Sequence, residues 1–145
     1  MPRKRKQMPV DTHYITTDFD LRSKSPFDSL HCELDQTCCV LIYAQEEGGD
    51  WFATVHSLLD DGITQRVAAD DILAMIGAIN ALSPAARAEF DACYLREFNL
   101  GFECGDTRSF VHTLPSNVVC DVADVNCSLT VTLYAMRNPD GTLRE

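Results

Sequence analysis

The chain has 145 residues and a mass of 16.2 kDa, which is the size of one domain with a buried core. Its residues are 46% apolar and 23% charged, as in ordinary globular proteins. No apolar run reaches the roughly 18 residues of a membrane span, and no apolar segment near the start indicates a secretory signal. We therefore expect a cytoplasmic protein that is not embedded in a membrane.

The charge is strongly negative and unevenly distributed. The 12 basic and 22 acidic residues give a net charge of −10, and four of the basic residues lie in 3–6. The rest of the chain then carries −14, which repels nucleic acid and attracts basic proteins. We predict a disordered basic tail over 1–9, a single domain over 10–137 and a C-terminal tail over 138–145.

The seven cysteines are an odd number, and no two form a Cys-x-x-Cys pair. Without an export signal, this usage is typical of reduced thiols in the cytoplasm. Four of them lie in apolar segments and are expected to act as small buried apolar residues: Cys38, Cys39, Cys104 and Cys127.

The N-terminal part of the domain predicts a strand and then a short helix. Between His13 and Leu21, apolar and polar residues alternate, which predicts a strand with one buried face. Ser25-Pro26 is typical of an N-cap followed by a first-turn proline. Apolar residues at helical spacing then predict a helix over 26–36.

A hairpin and two helices are predicted next. Residues 38–44 are apolar on both faces, as in a central strand, and a Gly48-Gly49 turn leads into a return strand over 51–58. Asp70 and Asp71 are suited to cap the following helix. Ser83-Pro84 ends that helix and starts another, whose predicted apolar face carries Phe90, Cys93 and Tyr94.

The last third predicts a strand, a helix and a final strand. Apolar residues alternate with polar ones from Phe98 to Cys104, and Gly101 within this strand indicates close packing. Leu114, Val118, Val122 and Val125 have helical spacing. Alternation resumes from Ser128 to Tyr134, which predicts the final strand.

The order β-α-ββ-αα-β-α-β predicts an α+β two-layer sandwich. It would contain a largely antiparallel sheet of about five strands with the helices on one face. The opposite face is expected to be open, acidic and rich in hydroxyl groups, and to carry Thr16, Asp18, Asp20, Asn99, Glu103, Thr130, Thr132 and Tyr134.

Enzyme signatures are absent from the sequence, which has no P-loop, dinucleotide fingerprint, nucleophile elbow or zinc-protease motif. An alternative is a small hydrolase that uses Asp18 and Asp20 as paired carboxylates, or Cys104 as a nucleophile. Cys38 and Cys39 are adjacent and point to opposite faces of a strand. We therefore expect no bound metal and no cofactor.

Three stretches carry a resemblance to known proteins. They are residues 18–24 (DFDLRSK), 96–105 (REFNLGFECG) and 128–134 (SLTVTLY). Together they resemble small acidic bacterial proteins, some of which look like immunity proteins of polymorphic or contact-dependent toxin systems. The resemblance covers roughly residues 14–136, and it implies a protein that binds one toxin and covers its active site or entry groove.

We therefore expect a non-enzymatic protein that neutralises a toxin with a basic cleft, in which acidic side chains replace substrate phosphates. An adaptor unrelated to toxins is a second alternative. Neither nucleic acid nor a membrane is an expected partner. The candidate partner-binding residues combine acidic clusters with aromatic anchors: Asp18, Asp20, Glu103, Glu46, Glu47, Asp60, Asp61, Trp51 and Tyr134.

Overall fold

The structure, a computed structural model, describes residues 8–59 and 66–143. Within them, five strands and four helices follow one another in the predicted order, namely β1 (His13–Ser23), α1 (Asp28–Thr37), β2 (Cys39–Gln45), β3 (Trp51–His56), α2 (Ala68–Asn80), α3 (Pro84–Ala92), β4 (Leu95–Glu103), α4 (Ser116–Asp124) and β5 (Ser128–Tyr134). Most of the predicted basic tail lies outside the described residues, as do the last two residues.

The strands form a single sheet in the order β2-β3-β1-β4-β5. Neighbouring strands are antiparallel except β4 and β5, which are parallel. The reason is the connection through α4, because a crossover with a helix returns the chain in the same direction. The predicted α+β class with a largely antiparallel sheet is confirmed.

The core lies between the sheet and the helices. On β1 and β4, alternate residues are fully buried, and the rings of Phe19 and Phe98 stack with centroids 4.8 Å apart. From the helix layer, Ile72, Ile79 and Phe90 complete this core. No helix in the described part of the chain is long and apolar enough to cross a membrane.

Both predicted boundaries at the start of helices α1 and α2 are wrong. Helix α1 begins at Asp28 with Phe27 as its N-cap, so Ser25-Pro26 lies before the helix. Tertiary contacts explain the later start of α1, because the Phe27 N–H donates to the Tyr43 hydroxyl at 2.8 Å and the Phe27 ring is buried. Asp70 and Asp71 lie in the first turn of α2, whose N-cap is Val67.

The sequence also placed the end of α3 too late. The helix ends at Ala92, so that Cys93 is its C-cap and Tyr94 lies beyond it. Arg96, the second residue of β4, donates from Nη1 to the carbonyl oxygens of Asp91 (3.0 Å) and Cys93 (2.8 Å). A side chain from the next strand therefore satisfies the end of this helix.

Strand β2 is an edge strand, which corrects the prediction that residues 38–44 form a central strand. Leu41 and Ile42 are exposed, and the register with β3 shifts between Val40 and Ile42. An apolar run on both faces does not determine how many strands lie beside it. The Gly48-Gly49 turn is confirmed, with Gly49 at a φ of 94°.

Candidate functional site

The open face is the side of the sheet opposite the helices. Alternate residues of each strand project there, and the register places Asp18 beside Asn99 and Asp20 beside Glu97. The side chains that the sequence predicted for this face lie on it, namely Thr16, Asp18, Asp20, Asn99, Glu103, Thr130, Thr132 and Tyr134. The predicted acidic and hydroxyl-rich character of this surface is thus confirmed.

Four carboxylates on the open face, which we call the acid quartet, are each held by a side chain from a neighbouring strand. The pairs are Asp18 with His56 (2.5 Å), Asp20 with the Thr54 hydroxyl (2.8 Å), Glu97 with the Thr130 hydroxyl (3.0 Å) and Glu103 with His13 (3.2 Å). A carboxylate accepts several hydrogen bonds. Each member is therefore oriented by the sheet and still has lone pairs for an external donor.

Asp20 lies at the most crowded point of the acid quartet. Partial burial raises its pKa above the ordinary carboxyl value, the Thr54 hydroxyl opposes that rise, and the nearby charges of Asp18 and Glu97 add to it. Like charges held this close destabilise the ionised form. A cation bound at this position would relieve the repulsion.

Arg22 and Glu46 form an ion pair at one end of the open face. The Arg22 Nη1 atom lies 2.6 Å from Glu46 Oε1, and both side chains are partly exposed. Glu46 follows the end of β2, and Glu47 is exposed in the hairpin turn next to it. Of these two predicted binding residues, Glu46 already has a cationic neighbour and Glu47 lies at the rim.

The aromatic residues predicted as anchors lie on different sides of the sheet. The Tyr134 ring lies on the open face against Gly101, where a Cβ atom would come within 3.2 Å of it. Trp51 instead lies on the helix side, with its ring centroid 5.3 Å from that of Tyr43. The alternation of β3 places Phe52, the residue after Trp51, on the open face. Of these neighbouring aromatic residues, Phe52 therefore lies on the open face and Trp51 does not.

Asp60 and Asp61, the remaining predicted binding residues, lie outside the described residues. The structure therefore brings together Asp18, Asp20, Glu103 and Tyr134 on one face, with Glu46 and Glu47 at its end.

Two residues of the open face were missed by sequence reasoning. Glu97 was left out because the strand was predicted to start at Phe98, whereas β4 starts at Leu95. His56 was not among the predicted residues of this face, although it alternates with Phe52 and Thr54 on the return strand. Extending the alternation of β4 toward its start would have found Glu97, and applying the same period of two to the predicted return strand over 51–58 would have found His56.

A cysteine lies next to the hydrogen-bonded contact between Asp18 and His56. Cys39 on β2 and His56 on β3 are cross-strand partners, and both line a cavity of about 350 Å³ together with Thr16 and Arg66. Directly opposed side chains on one sheet face have Cβ atoms about 4.5–5.5 Å apart. A thiol, an imidazole and a carboxylate thus lie side by side on three neighbouring strands.

On the helix side, a buried polar cluster surrounds Asp71, whose residue is 1% exposed. The hydroxyls of Tyr14 and Ser57 donate to its two carboxylate oxygens, and Arg66 Nη1 lies 3.8 Å from one of them. The carboxylate also faces the positive end of α2. Burial, followed by the hydrogen bond to Asp71, raises the pKa of Tyr14. This cluster connects β1 and α2 with Ser57, the residue after β3, and Ser57 and Arg66 also line the cavity beside Cys39.

Cys104, the alternative nucleophile, lies at the helix-side edge of the sheet rather than on the open face. It lines an apolar cavity of about 600 Å³ with Phe102, Phe110 and His112. The His112 ring packs against Phe102 with centroids 5.0 Å apart. Among the described residues, no group of three or more His, Cys, Asp or Glu side chains is placed to hold a metal ion.

Comparisons with family models, with curated proteins and with solved structures found no significant match to this chain. The functional argument therefore depends on the geometry and charge of the open face.

Proposed function

We propose that this protein is a non-enzymatic binding protein of the immunity type, which neutralises a cognate bacterial toxin by covering a basic cleft with its open face. The observation that supports this most is the acid quartet, in which each of four carboxylates is oriented by a cross-strand contact. A surface organised before binding loses less conformational entropy in the complex. The acidic side chains would take the positions of substrate phosphates in the toxin.

Electrostatics supports a basic partner. The charges of Asp18 and Glu97 add to the rise of the Asp20 pKa, and a lysine or arginine placed between these carboxylates would replace that repulsion with attraction. The net charge of −10 adds long-range steering toward a positive surface. Phe52 and Tyr134 supply aromatic contact area on the same face.

The test is capture from cells that contain the cognate toxin, with the protein immobilised as bait. Asp18→Asn with Asp20→Asn keeps the shape of both side chains and removes two charges from the open face. Asp35→Asn with Asp124→Asn is the matched control, since it removes two charges from exposed positions on α1 and α4. We expect a basic toxin in the eluate of the wild type and the control, and a weaker signal with the open-face pair.

The same variants can be assayed for protection of toxin-producing cells. Loss of protection with the open-face pair alone would support the proposal. Equal protection by both pairs would contradict it, as would capture of an acidic partner.

A second candidate function is that of a small hydrolase with a cysteine nucleophile. One observation favours it, namely the alignment of Cys39, His56 and Asp18. In such an arrangement the imidazole takes the thiol proton and the carboxylate orients the imidazole, which produces a nucleophilic thiolate. His56→Ala separates the two candidates. Under the binding proposal, alkylation of Cys39 by iodoacetamide is unchanged by this substitution, whereas a nucleophilic site predicts a large decrease in its rate.

A further inference from the structure

Strand β5 has a backbone edge that faces solvent. Its only neighbouring strand among the described residues is β4. The Cys104 N–H donates to the Tyr134 carbonyl at 2.8 Å, so Tyr134 directs its backbone groups toward β4. Since these directions alternate along a strand, Leu129, Val131 and Leu133 direct their N–H and C=O groups away from the sheet.

This edge lacks the features that usually prevent strand pairing. Residues 128–134 contain no charge and no proline, and they pair with β4 without a shift in register. The other edge strand, β2, carries an irregularity between Val40 and Ile42, and such bulges twist an edge away from further pairing. The apolar side chains of β5 are also exposed, with Val131 at 59% and Leu133 at 61%.

The five central residues of β5 read the same in both directions. Residues 129–133 are Leu-Thr-Val-Thr-Leu, with Val131 at the centre. In an antiparallel pair of two such strands centred on Val131, valine faces valine, each leucine faces a leucine and each threonine faces a threonine. A two-fold interface requires this kind of self-complementarity.

We propose that two copies of this chain pair through β5 in antiparallel orientation, with the two-fold axis at Val131. The outward N–H and C=O groups of Val131 face those of the same residue in the other copy, and Leu129 faces Leu133. Each of these pairs exchanges two backbone hydrogen bonds. Leucine and threonine pairs across the strands add side-chain contacts on the two faces.

The self-complementary sequence favours a second copy at this edge, and charge restricts where two copies can meet. The chain carries −10, so two copies repel each other over most of their surfaces, whereas β5 is neutral. The cavity of about 600 Å³ beside Val131 and Leu133 is apolar and gives space for the leucines of the other copy. The resulting sheet is continuous, so both open faces lie on the same side. The inference does not depend on the proposed function.

The test is the mass in solution of the full-length protein by light scattering, over a range of concentrations. We expect the wild type to form a dimer with twice the chain mass of 16.2 kDa. Val131→Lys and Val131→Glu each place like charges across the axis and should give monomers. An equimolar mixture of the two variants should restore the dimer, since opposite charges then meet.

Leu41→Lys on β2 is the matched control, because Leu41 is also exposed (55%) and lies on the other edge strand. This variant should remain dimeric. A monomeric wild type at all concentrations would overturn the inference, as would a dimer that survives Val131→Lys or dissociates with Leu41→Lys. In the wild type, the amide protons of Leu129, Val131 and Leu133 should exchange more slowly as concentration rises. That measurement tests the inference even if the charged variants do not fold.

Discussion

At the scale of one residue, Asp20 shows how a charge on the open face affects the stability of the fold. Its pKa is raised in the folded chain, chiefly by burial and further by Asp18 and Glu97. A carboxyl group with a raised pKa binds its proton more tightly when folded, so its ionisation opposes folding. This free-energy cost is fully present when the pH is above the pKa of Asp20 in the folded chain. It disappears as the pH falls below the pKa of Asp20 in the unfolded chain.

Asp20→Asn is therefore expected to stabilise the protein at pH 7, by up to about 0.5 kcal/mol. The gain should decrease to zero in acid, where the wild-type carboxyl is protonated. The measurement is the free energy of unfolding in urea over a series of pH values, with Asp35→Asn as a control from the opposite layer. A loss of stability at pH 7, or a gain that does not change with pH, would contradict this explanation.

Gly105 gives a second prediction at the residue scale. A Cβ atom there would lie 1.9 Å from the Val10 carbonyl oxygen and 2.6 Å from backbone atoms of Asp11 and Thr12. Because these neighbours are backbone atoms, Gly105→Ala must displace the segment before β1, which we expect to cost about 1–3 kcal/mol. Thermal unfolding measures this cost.

The matched control is Gly77→Ala in α2, where nothing lies within 4 Å of the added Cβ. Alanine is the better helix former, so this variant should gain about 0.5–1 kcal/mol. Equal stability of Gly105→Ala and the wild type would show that the N-terminal segment is not packed as described.

At the scale of elements, Arg96 connects the end of α3 to the sheet. Besides the α3 carbonyls, its Nε atom donates to the Asn126 carbonyl after α4 at 3.1 Å, and its guanidinium lies 5.5 Å from the Phe90 ring centroid. Lysine has one ammonium group and cannot reach both helix ends at once. Arg96→Lys is expected to lower the free energy of unfolding by about 1.5–3 kcal/mol.

Arg87→Lys is the control for this prediction, since Arg87 makes an exposed ion pair with Asp91 within α3. Exposed pairs contribute at most about 1 kcal/mol, so this variant should unfold close to the wild type in urea. If both lysine variants lose the same stability, Arg96 does not join α3 to the sheet as described.

Alternation of apolar and polar residues was sufficient to predict β1, β4 and β5, because one face of each strand packs on helices and the other does not. The same pattern placed Asp18, Asp20 and Glu103 on the open face. It could not show that β2 lies at an edge, since an apolar run does not identify the strands beside it. The start of α1 and the end of α3 depend on Tyr43 and Arg96, which contact them from other elements. The side of the sheet on which Trp51 and Phe52 lie could not be predicted, since it depends on the register of β3 with β1.

At the scale of the whole molecule, the sheet separates two surfaces of different composition. The helix side contains the core and the buried Asp71 cluster, and the open face contains the acid quartet. Antiparallel pairing through β5 would place two such faces side by side. A partner with two basic sites, or a dimeric partner, would then bind with higher avidity than one face allows.

The measurement that tests the proposed role of the open face most directly is the association rate with the captured partner over a range of ionic strength. Steering by exposed charges is screened over about 8 Å at physiological salt, so the wild-type rate should fall as salt is added. Asp18→Asn with Asp20→Asn should associate more slowly and with a weaker salt dependence, whereas Asp35→Asn with Asp124→Asn should behave nearly as the wild type. A rate that does not change with salt, or the same decrease for both pairs, would contradict binding through the open face.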